Sequence, residues 1–278
     1  MHYVGRFDES ALALVPLFAG HSKDYTGTSL VDHTRGSVHT GLSVNQLGPG
    51  GSVSPHVHSY EESFYILEGQ AAITIAGQTQ ALRVGDYGVA KVGTVHSWRN
   101  DSSMPVRWLQ MAAPQPRAEG GAQDTFFIAD GHLNPGDGQA LLGHFDVDQI
   151  PPPKERKDVA PGLEGVFLKW MIDADFGARH HRMAFIEYQP GVGIGLHDHA
   201  FEESYFFLSG EVEAVIDGKH YDIKAGDIVW TGVGSVHSFS NKSQAPVRWL
   251  ETFSPQPPAE NAFRFMAEWE KKAKELQG

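Results

Sequence analysis

A chain of 278 residues is longer than most single domains, so two domains of about 140 residues are expected, and its 41% hydrophobic and 20% charged content belongs to a globular protein, not a disordered or fibrous one. Its 22 Lys and Arg against 34 Asp and Glu give a formal charge of −12, a field that repels phosphate backbones and anionic headgroups and argues against nucleic acid and membrane surfaces as partners. The absence of cysteine removes disulfides, thiolate metal sites, iron–sulfur clusters and cysteine nucleophiles together, and fifteen histidines leave nitrogen and oxygen as the ligands for any transition metal.

The first twenty residues contain no basic segment leading into a long apolar run, and no stretch approaches the ~20 apolar residues of a membrane span, so a soluble cytoplasmic protein is expected. The first dense cluster of ligand-type residues is His56, His58 and Glu62. In an extended strand His-x-His points both imidazoles to one side. The stretch from Ser63 to Gly93 then combines aromatic and β-branched residues in short runs, broken by Glu-Gly, Ala-Gly and Val-Gly-Asp turns, which reads as a series of short strands. His96 follows Glu62 by 34 residues, enough chain for a hairpin to bring a neighbouring strand back to the same pocket.

A shift of 141 residues then repeats this pattern without insertion or deletion. His56, His58, Glu62 and His96 fall on His197, His199, Glu203 and His237, and PVRWL from Pro105 recurs from Pro246, as PQP from Pro114 does from Pro255. Between the copies, GHLNPGDGQ at 131–139 and PPPKERK at 151–157 read as linker, with a boundary near residue 140: one domain over 1–140, a second over 141–278. Asp217-Gly218 is a strong hairpin signal in the second copy. Each half is expected to be a small antiparallel barrel or two-sheet jelly roll. From Ala262 onward, good helix formers with apolar residues at Phe263, Met266, Trp269 and Ala273 predict a C-terminal amphipathic helix.

Three neutral imidazoles and one carboxylate suit Mn, Fe or Ni, with Zn, Co and Cu as further candidates, up to one ion per half. The spacing G-x5-H-x-H-x3-E-x6-G followed by G-x5-P-x-G-x2-H-x3-N resembles the two-part motif of the cupin superfamily. It runs here through Gly50, His56, His58, Glu62, Gly69, Gly85, Gly93, His96 and Asn100. In the second copy it runs through Gly191, His197, His199, Glu203, Gly210, Gly226, Gly234, His237 and Asn241. Lys91 and Gly232 stand where the motif has proline, which affects a turn and not the ligand set. The resemblance implies a bicupin, all-β, with tandem double-stranded β-helix barrels that enclose the metal. The phrases EESFYILEG and EESYFFLSG are similar to those of quercetinase-type cupins, which implies a dioxygenase acting with O2 on a small enolisable or aromatic substrate. Non-oxidative isomerase, lyase, decarboxylase or hydrolase chemistry, and a binding protein without catalysis, stay open beside it. Ligand chemistry and the resemblance together assign acid–base roles to Glu62 and Glu203.

Strand parity from the glutamates turns Phe64 and Ile66 inward in the first half and Tyr205 and Phe207 in the second, so the second pocket gains a phenol, and the chemistry is expected there. Trp98 and Phe239, two residues past the last histidine of each set, share its parity and are candidate pocket walls with Phe64 and Phe207, core packing being the competing role. His39 and His180, with Arg179 and Arg182, are read as solvated strand edges or contacts for an anion. Arg107 and Arg248 are candidate carboxylate clamps. Asp198, between two inward histidines, is expected to point away from the metal, and Ser63 and Ser204 lack the context of a catalytic triad. Barrel edges and strand exchange are compatible with a homodimer.

Overall fold

The computed structural model describes residues 1–116, 124–129, 140–155, 165–258 and 262–277. The residues read as the interdomain linker at 131–139, and the end of the second linker stretch, lie outside them. Short runs of β-branched and aromatic residues form the strands, and the two-residue turns expected from the sequence close the hairpins. Ala76-Gly77 joins Gln70–Ile75 to Gln78–Arg83, and Asp217-Gly218 joins Glu211–Ile216 to Lys219–Lys224, all four turn residues having positive φ. The motif glycines Gly69 and Gly210 also have positive φ, and a Cβ there would strike the main chain of Pro105 or Pro246, so no other residue fits the passage.

Each half is a two-layered, curled antiparallel sandwich. In the second half, a six-stranded sheet from His2–Arg6 to Val166–Ile172 faces a five-stranded sheet that carries His197–His199 and His237–Ser240. In the first half the long strand Gly41–His58 belongs to both layers. Its first part pairs with Val106–Ala113, its last part with His96–Arg99, and this joins the strands into one eleven-stranded sheet. Phe64, Ile66, Ile73, Trp98 and Trp108 fill the first barrel, and Tyr205, Phe207, Ile216, Phe239 and Trp249 fill the second. The expected C-terminal helix is present as Met266–Gln277, but it starts later than the sequence suggests, because Phe263–Phe265 form a strand. Among the described residues no helix is long and apolar enough to cross a membrane.

The halves are joined in two ways that alternation along one strand makes compatible. A third core of Leu42, Val44, Tyr65, Leu109 and Met111 from the first half meets Met183, Phe185, Phe206, Trp230 and Leu250 from the second, so the barrels pack face to face. Strands are also exchanged: His2–Arg6 pairs with Asp227–Thr231 of the second half, and Leu141–His144 pairs with Asp86–Ala90 of the first. At the rim of this interface two buried carboxylates grip the opposite half. Glu202 accepts from the Val38 and His39 N–H groups at 2.8 and 3.1 Å and from Ser37 Oγ at 2.7 Å, and Glu61 accepts from the Arg179 and His180 N–H groups at 2.7 and 2.8 Å.

Burial alone would raise the Glu61 carboxyl, but His181 and the N–H groups of His180 and Arg179 outweigh it and hold the group below the usual carboxylate range. The ionised form therefore contributes stability that is fully present above the ordinary glutamate value of about 4.3 and is lost as pH falls through the lower folded value. Urea unfolding of Glu61→Gln at neutral pH is expected to show a loss of about 1–3 kcal/mol, and the gap from the wild type is expected to close as the titration is carried below pH ~4.

Candidate metal centres

The ends of the His-x-His strands meet the second residue of the next strand, Glu62 in Glu61–Glu68 or Glu203 in Glu202–Ser209, and the first residue of His96–Arg99 or His237–Ser240. In the first half the rings of His56, His58 and His96 lie 4.1–5.0 Å apart, centroid to centroid. Glu62 closes the set, its Oε2 2.9 Å from His58 Nε2 and its Oε1 3.5 Å from His96 Nε2. In the second half His199, Glu203 and His237 form the tight group, Glu203 Oε2 lying 2.8 and 3.2 Å from the two Nε2 atoms. The His197 ring is 4.4 Å from His237 but 6.2 Å from His199, a looser placement than that of its counterpart His56. All eight residues are buried.

The imidazoles are set as ligands by what holds their other nitrogen. Nδ1 of His56, His96, His197, His199 and His237 lies 2.7–3.0 Å from a main-chain carbonyl two residues away, which places the proton on Nδ1 and the lone pair on Nε2. His58 Nδ1 instead meets Thr125 Oγ1 at 2.8 Å. The Nε2 atoms of His58, His96 and His199 and one oxygen of Glu203 are buried without a hydrogen-bond partner. A bare imidazole lone pair against a carboxylate oxygen calls for a cation between them, so the donor set fits a divalent transition metal.

Electrostatics agree. Burial, then the neighbouring imidazoles, push His56 down to about 2, and burial with His237 pushes His197 down to about 4, so both stay neutral. Burial would raise Glu62 and Glu203, but the facing imidazoles outweigh it and hold both carboxylates well below the usual range. His96 and His237 move the other way: burial opposes their charge, and the facing glutamate overrides it.

The surroundings of the two glutamates differ. Gln110 Nε2 donates to Glu62 Oε2 at 2.9 Å, at the end of a chain in which Tyr25 OH donates to Asn45 and Asn45 Nδ2 to Gln110, each at 2.9 Å. The position equivalent to Gln110 is Glu251, which is bonded to Glu203 and to the Trp249 indole at 2.7 Å; burial and the Glu203 charge raise it well above the carboxylate range. The Tyr205 hydroxyl donates to Glu203 and lies 3.1 Å from His237 Nε2, and burial followed by the Glu203 charge raises the phenol. The first glutamate is therefore held by an amide and the second by two proton carriers. The strand parity of Trp108 and Trp249 carries on to Gln110 and Glu251, and that was the available signal for this pair.

Phe64, Trp98, Phe207 and Phe239 lie in the barrel cores, Phe239 also 4.9 Å from Tyr205. Arg107 and Arg248 are engaged by carboxylates of the chain, Arg107 with Glu9 and Glu68 and Arg248 with Glu187. His39 and His180 contribute main-chain N–H groups to the interdomain carboxylates. Asp198 does turn away from the metal ligands, where it pairs with Arg264 on Phe263–Phe265, a strand laid across His197–His199. Thr125–Phe127 crosses His56 and His58 in the same manner. The sequence reading missed both crossing strands, which follow the repeated region. It also missed a contact of Ser63: its hydroxyl bonds His181 Nε2, and Glu61 lies 3.4 Å beyond, a Ser–His–Glu series fully buried between the halves with no room for a substrate.

The chain matches the model of the cupin domain twice, over residues 44–111 and 184–253. Among curated proteins it is similar to the oxalate-binding protein of Thermotoga maritima, 40% identical over 62 residues, which cover 22% of this chain and 51% of that protein. It is similar as well to quercetin 2,3-dioxygenase of Bacillus subtilis, 34% identical over 107 residues, covering 36% and 30%. The chain thus spans about half, or less, of the curated relatives it matches. The crystal structure of the oxalate decarboxylase–formate complex of Lactobacillus farciminis superposes with a TM-score of 0.66 at 17% identity, over 97% of this chain and 90% of that one, which establishes a shared fold.

Elemental analysis of the purified protein is expected to find about two transition-metal equivalents, with His58→Ala and His199→Ala each losing one. Metal uptake by the stripped protein is expected to release protons and to weaken as pH falls, which a titration in weakly buffered solution measures directly.

Proposed function

The chain belongs to the cupin superfamily, as a bicupin, and on that premise we propose that it is a metal-dependent enzyme, a dioxygenase acting on a small enolisable or aromatic molecule. The observation that carries the reading is the buried set of Nε2 lone pairs converging on a glutamate, their tautomers pinned by main-chain carbonyls. The likeness of part of the chain to quercetin 2,3-dioxygenase supports the oxidative form. An ion held by His56, His58, Glu62 and His96, or by His197, His199, Glu203 and His237, would supply Lewis acidity to substrate oxygens.

The chain's own groups handle the proton. Glu62, held ionised by the facing His58 and His96 and oriented by the Gln110 amide, is the group to accept a proton, at a carboxylate oxygen. Glu203 is placed to pass one on, since the Tyr205 hydroxyl and the Glu251 carboxyl both bond to it and both hold their protons. Aromatic packing beneath each centre, Phe64 with Trp98 and Phe239 with Tyr205, keeps water out of the barrel floor.

This proton-rich second centre specifically favours a second reading, a non-oxidative decarboxylase, lyase or isomerase, in which protonation of a carbanion-like product is the demanding step. The two are separated by oxygen. Substrate-dependent uptake at an oxygen electrode supports the dioxygenase, and undiminished anaerobic turnover supports the second reading. Under either, Glu203→Gln or Glu62→Gln is expected to keep its metal and lose turnover by about 100-fold or more at the centre that works. A pair of variants that both retain metal and full turnover removes the glutamates from the chemistry, and tight substrate binding without conversion leaves a binding protein.

A further inference from the structure

The two halves are walled differently on one side. In the second half three large side chains pack together there: the Arg182 guanidinium lies 5.3 Å over the Trp170 ring, and Phe253 is 5.2 Å from Trp170 and 5.9 Å from Phe201. The shift of 141 residues puts Ser29, Gly41 and Ala112 in their places. The strand register agrees, since Gly41 pairs with Ala112 as Arg182 pairs with Phe253, and Ser29 pairs with Ser43 as Trp170 pairs with Ala184. Where the second half has an arginine and two aromatic rings, the first has a cavity of about 280 Å³. Its wall includes Tyr60 and Gln110. Tyr60 is stacked on His58 at 4.4 Å and Gln110 donates to Glu62, so the cavity stands one side chain away from the first centre.

We propose that this cavity is a binding chamber belonging to the first centre alone, and that it takes a small uncharged molecule carrying ring hydroxyl or carbonyl groups. The proposal rests on the reading of the first centre as a metal-enzyme site. It names the class of molecule and assigns it to the half opposite the one that Tyr205 favours. The volume lies at the lower limit of pockets that enclose organic ligands and suits a single ring. Val31, Leu42 and the Tyr60 ring provide apolar area. Donors are available as well. The Ser43 hydroxyl accepts from Asn45 Nδ2 at 3.0 Å and keeps its own proton to give. The Gln110 amide has its oxygen taken by Asn45 and Trp108 and one N–H by Glu62, which leaves one N–H.

Charge decides against an anion. Among the described residues no lysine or arginine lines the cavity; the titratable groups that do are Asp32, Tyr60 and the exposed His33. The Asp32 carboxylate is held toward the rim by Ser29 Oγ at 2.6 Å and by the Thr34 N–H at 2.8 Å, and the Glu62 carboxylate stands behind Gln110. A dicarboxylate would meet the Asp32 carboxylate with no lysine or arginine among the described lining residues to offset it.

The test refills the chamber as the second half does. Calorimetric titration of the manganese-loaded protein with catechol, an uncharged ring diol, and with oxalate, a dianion, is compared across the wild type, Ala112→Phe and Ser29→Trp/Ala112→Phe. Catechol is expected to bind the wild type, to bind either filled variant at least tenfold more weakly, and to be undisturbed by excess oxalate, with metal content and thermal midpoint unchanged. Ala112→Phe alone serves should the double variant not fold. Equal catechol affinity in wild type and variants, no catechol binding by the wild type, or displacement by oxalate overturns the proposal. A chain that takes up no metal yet loses catechol on filling overturns the enzyme reading while leaving the chamber in place, so the two failures are told apart.

Discussion

The hydrogen bond from a histidine Nδ1 to a carbonyl two residues along its own chain is the constraint on which both centres depend. It recurs at His56, His96, His197, His199 and His237. The bond forms where the chain enters or leaves a strand: the carbonyls of Thr94, Gly195, Phe201 and Ser235 lie just outside the strands that carry their histidines, and only Ser54 shares a strand with its partner, His56. One local interaction therefore sets tautomer, ring orientation and the direction of the ligand lone pair, and the barrel has only to bring the strands together.

The same alternation couples the centres to the interface between the halves. Along EES the first glutamate points outward, where Glu61 and Glu202 capture N–H groups of the opposite half, and the second points inward to the metal ligands. Movement of that strand toward one side moves the carboxylate on the other. Each centre is thus braced through one peptide unit against the face-to-face core of Tyr65, Phe206 and Trp230, which rigidifies the ligand sets more than either barrel would alone.

Much of this was legible in the sequence because it is written in periodicity. The 141-residue repeat, the ligand residues, the Asp217-Gly218 hairpin and the outward turn of Asp198 follow from spacing and parity along a single segment. Parity states which face a side chain takes and says nothing about what lies across from it. Hence Gln110 and Glu251, whose effect depends on the partner strand, were missed, and so was the contact of Ser63 with His181, which joins residues 118 apart. The exchange of His2–Arg6 and Leu141–His144 was equally hidden, since either strand satisfies its pattern against any complementary edge. Arg107 and Arg248 show the converse: a side chain suited to clamp a ligand carboxylate was already serving carboxylates of the chain.

The strand exchange has a consequence for how the two halves can change. Two separate copies that swap their first strands form a symmetric pair, and any substitution then occurs in both members at once. Carried on one continuous chain, the same arrangement keeps the mutual burial and the high effective concentration of each half for the other, yet frees every position from its twin. Gly41 and Arg182, or Ala112 and Phe253, are pairs that no symmetric assembly of identical copies contains. Covalent fusion is what allows one barrel to stay packed while its neighbour opens, a division of labour between sites that began alike.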